Sequence, residues 1–137
     1  MMTPIMRRLT YAGIAPFVIA LLIKWEVLAP FVEADLMLWG YATVIAAFMA
    51  GSHWGAAIRS GDPVVLLASN GFALAVFALA VWMRTPIGVI FLAIIFAAQL
   101  LLDRRLQIQA QLSAPYWRMR VIVAAMVCAI LVLYAIT

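Results

Sequence analysis

The chain has 137 residues, of which 69% are hydrophobic and only 10% are charged, and its mean hydropathy is +1.18. A water-soluble domain has about 45–50% apolar and about 25% charged residues, so this composition excludes an ordinary soluble core and predicts a chain solvated by lipid. The net charge of +4 does not indicate nucleic-acid binding, because the basic residues lie at the ends of apolar segments and form no continuous face.

Five apolar segments separated by short connections predict an all-α, polytopic transmembrane helical bundle that forms a single domain, residues 1–137. The longest polar connection, residues 103–116, alternates apolar and polar residues in part. Without a partner strand, we interpret it as an interfacial segment or a helical extension. The predicted spans are 9–28, 36–58, 63–83, 86–102 and 116–136.

Local signals mark several of these boundaries. Pro16 lies inside the first span and predicts a kink, since proline removes a backbone donor. Gly61 predicts the end of the second span and Asp62 the cap of the third. Thr85 and Pro86 predict the cap and first turn of the fourth span.

The distribution of basic residues predicts the orientation of the bundle. If the N-terminus is cytoplasmic, Lys24 and Arg84 are the only basic residues on the outside, together with an acidic loop. Basic residues favour the cytoplasmic side, so the sequence predicts an N-in, C-out topology. The seven residues on the predicted cytoplasmic side are Arg7, Arg8, Arg59, Arg104, Arg105, Arg118 and Arg120.

Small residues recur every four positions near the end of the second span, at Ala47, Gly51 and Gly55. This spacing places them in one stripe on the helix. In lipid, such a stripe lets a second backbone come close. It therefore predicts helix packing, either against another span or against a partner protein or second copy.

His53 is the only histidine, and at 1.5 Å per residue it lies roughly 8 Å inside the predicted cytoplasmic end of its helix. Asn70 and Gln99 fall in the same leaflet. Polar groups are costly in hydrocarbon, so we expect them to face one another. With the neighbouring Trp54, they form either an ordinary hydrogen-bond network or a cofactor-binding site, where His53 would contact a quinone carbonyl or a haem iron.

At the same level, Asp103 is predicted to form an interfacial ion pair with Arg118 or Arg120. A zinc site is excluded by the lack of three or four convergent ligands. No catalytic motif is present, and no cofactor is required by the sequence. The chain is therefore interpreted as a protein without enzymatic activity.

The chain resembles a family of small multipass membrane proteins of unknown function, found in proteobacteria, that includes mitochondrial transmembrane protein 69. The resemblance lies in residues 12–17, 41–55, 102–104 and 115–120, with the Gly-x-His-Trp-Gly element at 51–55 as its most specific part. Ala50 and Ser52 depart from the family pattern. The resemblance implies an energy-transducing membrane, here the bacterial cytoplasmic (inner) membrane, and it implies no activity.

Three functions remain open from the sequence. The first is an accessory, assembly or scaffold component that packs against a larger membrane complex. The second is a binder of a lipophilic cofactor, quinone or haem, at the polar layer around His53. The third is a small-solute transporter, which the odd number of spans and the missing internal repeat disfavour.

Overall fold

The computed structural model describes residues 3–137 as a bundle of helices, with no strand in that range. Five helical units are long and apolar enough to cross a membrane, the first being a broken helix made of α1 and α2. The prediction of an all-α multipass bundle is confirmed. The helices are α1 Pro4–Ala12, α2 Ala15–Lys24, α3 Ala34–Ser60, α4 Pro63–Trp82, α5 Pro86–Ile108 and α6 Ala114–Ile136.

The kink predicted at Pro16 is present as a break between α1 and α2. Proline has no backbone N–H, and its ring collides with the carbonyl four residues earlier, so α1 ends at Ala12. The break frees the carbonyl oxygen of Gly13, which accepts a hydrogen bond of 2.7 Å from the Tyr41 hydroxyl. This hydrogen bond connects the interrupted first span to α3 at the position of the break.

The boundaries predicted at Gly61, Asp62 and Thr85 are present in the structure, whereas the first span, predicted at 9–28, is Pro4–Lys24. Gly61 ends α3 with a φ of +67°, a left-handed conformation that glycine adopts without steric cost. A carboxylate oxygen of Asp62 accepts from the Val64 N–H at 3.0 Å and caps α4. The Thr85 hydroxyl accepts from the Gly88 N–H at 3.1 Å and caps α5.

The connection after residue 102 differs from the loop that the sequence suggested, because α5 continues to Ile108 before the chain turns into α6. The helical-extension interpretation of this segment describes its first part. Asp103 is therefore a helix residue with a buried side chain. Its charge is tolerated there because basic groups from other helices meet it.

Two apolar clusters fill the interior, one large and one small. In the large cluster, Phe17 packs edge-on against Tyr41 and Phe96, with ring centroids 5.1 and 6.1 Å away. The small cluster includes Ala57 and Leu106. The buried polar residues of α3 and α5 lie where the large cluster adjoins the small one, and we call them the polar layer: His53, Gln99 and Asp103.

Candidate functional site

Asp103 is the centre of the buried polar layer. One carboxylate oxygen lies 2.9 Å from Nε2 of His53, and the other accepts from Nε of Arg120 at 3.1 Å. The three side chains come from α5, α3 and α6, and they are only 1%, 1% and 8% exposed, respectively. A single carboxylate therefore links three membrane spans.

This arrangement explains how charges can lie inside the bundle. An isolated charge is expensive in hydrocarbon, but a carboxylate paired with a guanidinium and satisfied at both oxygens is tolerated. An ionised carboxylate can only accept, so Nε2 of His53 carries the hydrogen. Nδ1 of His53 has no partner among residues 3–137, and it can accept a hydrogen bond.

Gln99 lies one helical turn before Asp103 on the same face of α5 and is fully buried. Neither its amide nitrogen nor its amide oxygen has a partner in the described part of the chain. Buried polar atoms are nearly always hydrogen-bonded, so unused donors and acceptors here are unusual. Together with Nδ1 of His53, these amide atoms are free to hydrogen-bond a polar group of a ligand.

The structure does not bring all the candidate cofactor-binding residues together. His53 and Gln99 belong to the layer around Asp103, but Asn70 is exposed and donates to the Leu66 carbonyl of its own helix at 3.2 Å. Trp54 also lies on the outer surface of α3. Depth along a helix, which grouped these residues in the sequence, does not fix the direction in which a side chain points.

Of the two arginines proposed as partners of Asp103, the structure selects Arg120. Arg118 is exposed, and two residues along a helix separate side chains by about 200°. The contact of Asp103 with His53 was not anticipated, because the sequence placed Asp103 in a loop. The four-residue spacing of Gln99 and Asp103 is the signal that could have placed it in the helix.

The predicted packing stripe faces away from the rest of the chain. Ala47, Gly51 and Gly55 are exposed, and a Cβ built on either glycine would meet nothing within 4 Å. The face that α3 packs inward includes Ala46 and Ala50, displaced by one residue from the stripe. The small residues of the stripe are therefore not used for packing within the described chain.

A second polar tie lies at the arginine-rich end of the bundle, where α3 joins α4. Asp62 accepts from Nε of Arg105 at 2.5 Å and from the Gln109 amide at 2.7 Å. The hydrogen bond from Arg105, then that from Gln109, lowers the pKa of the Asp62 carboxyl from 3.8 to about 2. The sequence identified Asp62 only as a helix cap.

A cavity of about 270 Å³ lies beside the polar layer. We call it the Arg120 cavity, because Arg120 is the one charged residue in its wall within the described part of the chain. It has a partly open side, and its remaining lining is apolar apart from Thr10 and two tyrosines. The residues around it are Leu9, Thr10, Gly13, Ile14, Phe17, Tyr41, Ile45, Phe48, Met49, Phe96, Tyr116, Arg120, Val123, Ala124 and Val127.

Fold and site together define an integral multipass helical membrane protein with a buried polar layer and an adjoining, mostly apolar cavity. Residues 2–136 match the family described as a protein of unknown function (DUF3429), and the chain belongs to that family. No curated protein and no solved structure matches the chain. Among residues 3–137, no group of three or more metal-binding side chains converges.

Proposed function

We propose that this protein is an accessory or assembly component that packs against a larger complex of the bacterial cytoplasmic membrane. The observation that carries the proposal is the outward position of the stripe formed by Ala47, Gly51 and Gly55. We call this surface the α3 outer face. Three small residues in register leave a shallow groove where a second helix can approach.

In a membrane, the hydrophobic effect cannot drive the association of helices. Membrane helices gain no hydrophobic energy by leaving lipid, so they associate through close packing, and small residues make close packing possible. Within the chain, the inner face of α3 already supplies this packing through Ala46 and Ala50. The α3 outer face therefore provides a second close-packing surface that no helix of the described chain contacts. A helix of a partner protein could pack against it.

Two observations support the proposed membrane location and orientation. The resemblance to a family that includes mitochondrial transmembrane protein 69 supports an energy-transducing membrane. The excess of arginines at one end of the bundle supports an N-in, C-out orientation in the bacterial inner membrane. In this orientation, the Asp103 layer lies in the cytoplasmic leaflet.

The test is purification of the tagged full-length protein in a mild detergent, followed by mass spectrometry of the copurifying subunits. We expect a stoichiometric membrane-protein partner that is lost after Gly51→Leu or Gly55→Leu. Gly71→Leu is the matched control, because Gly71 is an exposed glycine on α4 with nothing near its Cβ. A chain that purifies alone, or a complex that survives both α3 substitutions, would contradict the proposal.

A second candidate function is binding of a lipophilic ligand, for which quinone and haem are the predicted examples. The Arg120 cavity favours it, because an apolar cavity with a few polar groups at one end is the usual form of a small-molecule site. Nε2 of His53 donates to Asp103, so its free Nδ1 can accept a hydrogen bond from a ligand, whereas a ligand acceptor such as a quinone carbonyl would need the free amide of Gln99. An absorption spectrum and a quinone extraction of the same purified fraction would test this candidate.

A further inference from the structure

We infer that the Arg120 cavity binds a single-chain amphiphile, with its carboxylate on the guanidinium of Arg120 and its alkyl chain along the apolar wall. This inference deepens the ligand-binding candidate above. It does not depend on a protein partner at the α3 outer face.

The anchoring group is the part of Arg120 that Asp103 leaves unused. Nε donates to Asp103, while neither terminal amino group donates to any residue in the described range. These amino groups are not fully enclosed, and Arg120 lies in the cavity wall. A guanidinium edge with two free donors matches the two oxygens of a carboxylate in a planar, bidentate contact.

The charges around the cavity favour an anion over a neutral ligand. No acidic side chain among residues 3–137 lines the cavity, and Asp62 and Asp103 both form ion pairs with arginines. The lining residues Leu9 and Thr10 directly follow Arg7 and Arg8 on α1. Basic residues near an opening raise the local concentration of anions.

Shape and position favour a single alkyl chain. At about 270 Å³, the cavity is slightly below the usual range for drug-sized ligands and leaves no room for a two-chain phospholipid. Phe17, Val123 and Val127 supply the apolar wall. Leu9 and Phe48 belong to the lining although they are 68% and 72% exposed, so the opening lies where they face lipid. A membrane-dissolved amphiphile can therefore enter sideways.

The experiment measures equilibrium binding of radiolabelled dodecanoate to the full-length protein in phosphatidylcholine nanodiscs, with empty nanodiscs as background. We expect saturable binding of one equivalent per chain, displaced by unlabelled dodecanoate and not by dodecanol. Ala124→Phe fills the cavity from α6 without replacing either residue of the Arg120–Asp103 pair, and we expect binding at least about ten-fold weaker. Ala125→Phe, on the exposed side of the same helix, is the matched control and should bind like the wild type.

Binding no greater than that of empty nanodiscs, or equal binding by the two alanine variants, would overturn the inference. Displacement by dodecanol would also overturn it, because the carboxylate would then have no role. Binding of a decyl quinone but not of dodecanoate would overturn the carboxylate assignment while leaving the lipophilic-ligand function standing. If Ala124→Phe fails to fold by size-exclusion chromatography, Ile45→Trp fills the same cavity from α3 and takes its place.

Discussion

The two faces of α3 are built from similar small residues, but one face is buried and the other is exposed. Ala46 and Ala50 are buried against the rest of the bundle, whereas Ala47 and Gly51, each one position later, are exposed. One residue along a helix turns the side chain by about 100°, so adjacent small residues belong to different surfaces. The inner face holds His53 and the Asp103 layer, and the outer face holds the predicted stripe.

Small residues alone do not identify the surface against which a membrane helix packs. In a soluble protein, the apolar stripe of a helix marks its buried side, but a helix in lipid is apolar all round. On α3, the buried side is marked by the polar residue His53, because a polar group in hydrocarbon needs a protein partner. Polarity, rather than small size, identifies the inner face.

The largest loss of stability is expected from removing the charge at the centre of the polar layer. Asp103→Ala leaves Arg120 without its carboxylate and His53 without its acceptor, and we expect a loss of about 3–5 kcal/mol in the free energy of unfolding. Unfolding by sodium dodecyl sulfate in mixed micelles measures this loss. Arg118→Ala, which removes an exposed charge on α6, should change the free energy by less than about 0.5 kcal/mol. Equal stability of Asp103→Ala and the wild type would show that the layer does not hold the spans together.

Overfilling the inner face should have the next largest effect. Ala50 is buried in α3, and Ala50→Leu forces the packed helices apart. Overpacking of this kind costs about 1–3 kcal/mol. The same detergent titration measures it, and a fully stable Ala50→Leu protein would mean that α3 packs more loosely than the structure shows.

A smaller effect is expected from the polar tie next to the C-terminal end of α3. Because the pKa of Asp62 is lowered from 3.8 to about 2, its hydrogen bonds stabilise the fold fully above about pH 4. This stabilisation is lost as the pH falls through about 2. Asp62→Asn should therefore unfold at a lower temperature than the wild type at pH 7, and the two curves should converge towards pH 2. Thermal scans across this range measure the difference, and a gap that stays constant with pH would contradict the role of the Asp62 charge.

The smallest effect is expected on the α3 outer face of the isolated chain. A side chain at Gly51 meets nothing, and leucine favours a helix more than glycine does. Gly51→Leu should leave the free energy of unfolding unchanged within about 0.5 kcal/mol, or raise it slightly. A large loss in the purified single chain would place the stripe inside the fold and remove the basis for a partner at this surface.

Much of the fold could be read from local signals. Apolar segment length predicted the spans, and Gly61 and Thr85 predicted helix ends that the structure contains. The site was predicted less completely, because membrane depth grouped Asn70 with His53 although their side chains point in different directions. The helix end predicted at residue 102 also concealed the buried position of Asp103.

The sequence by itself determined that the chain is a multipass helical membrane protein, because apolar segments about 20 residues long cross hydrocarbon as helices, whose backbone groups are satisfied within the segment. It also determined the break near Pro16 and the helix boundaries at Gly61 and Thr85, because proline, glycine and capping residues act on their own neighbours. Only the tertiary structure decided that Arg120 rather than Arg118 meets Asp103, that His53 shares this carboxylate, and that Gly51 faces outward. These outcomes depend on how each helix is rotated about its axis, and that rotation is set by packing between helices distant in the sequence.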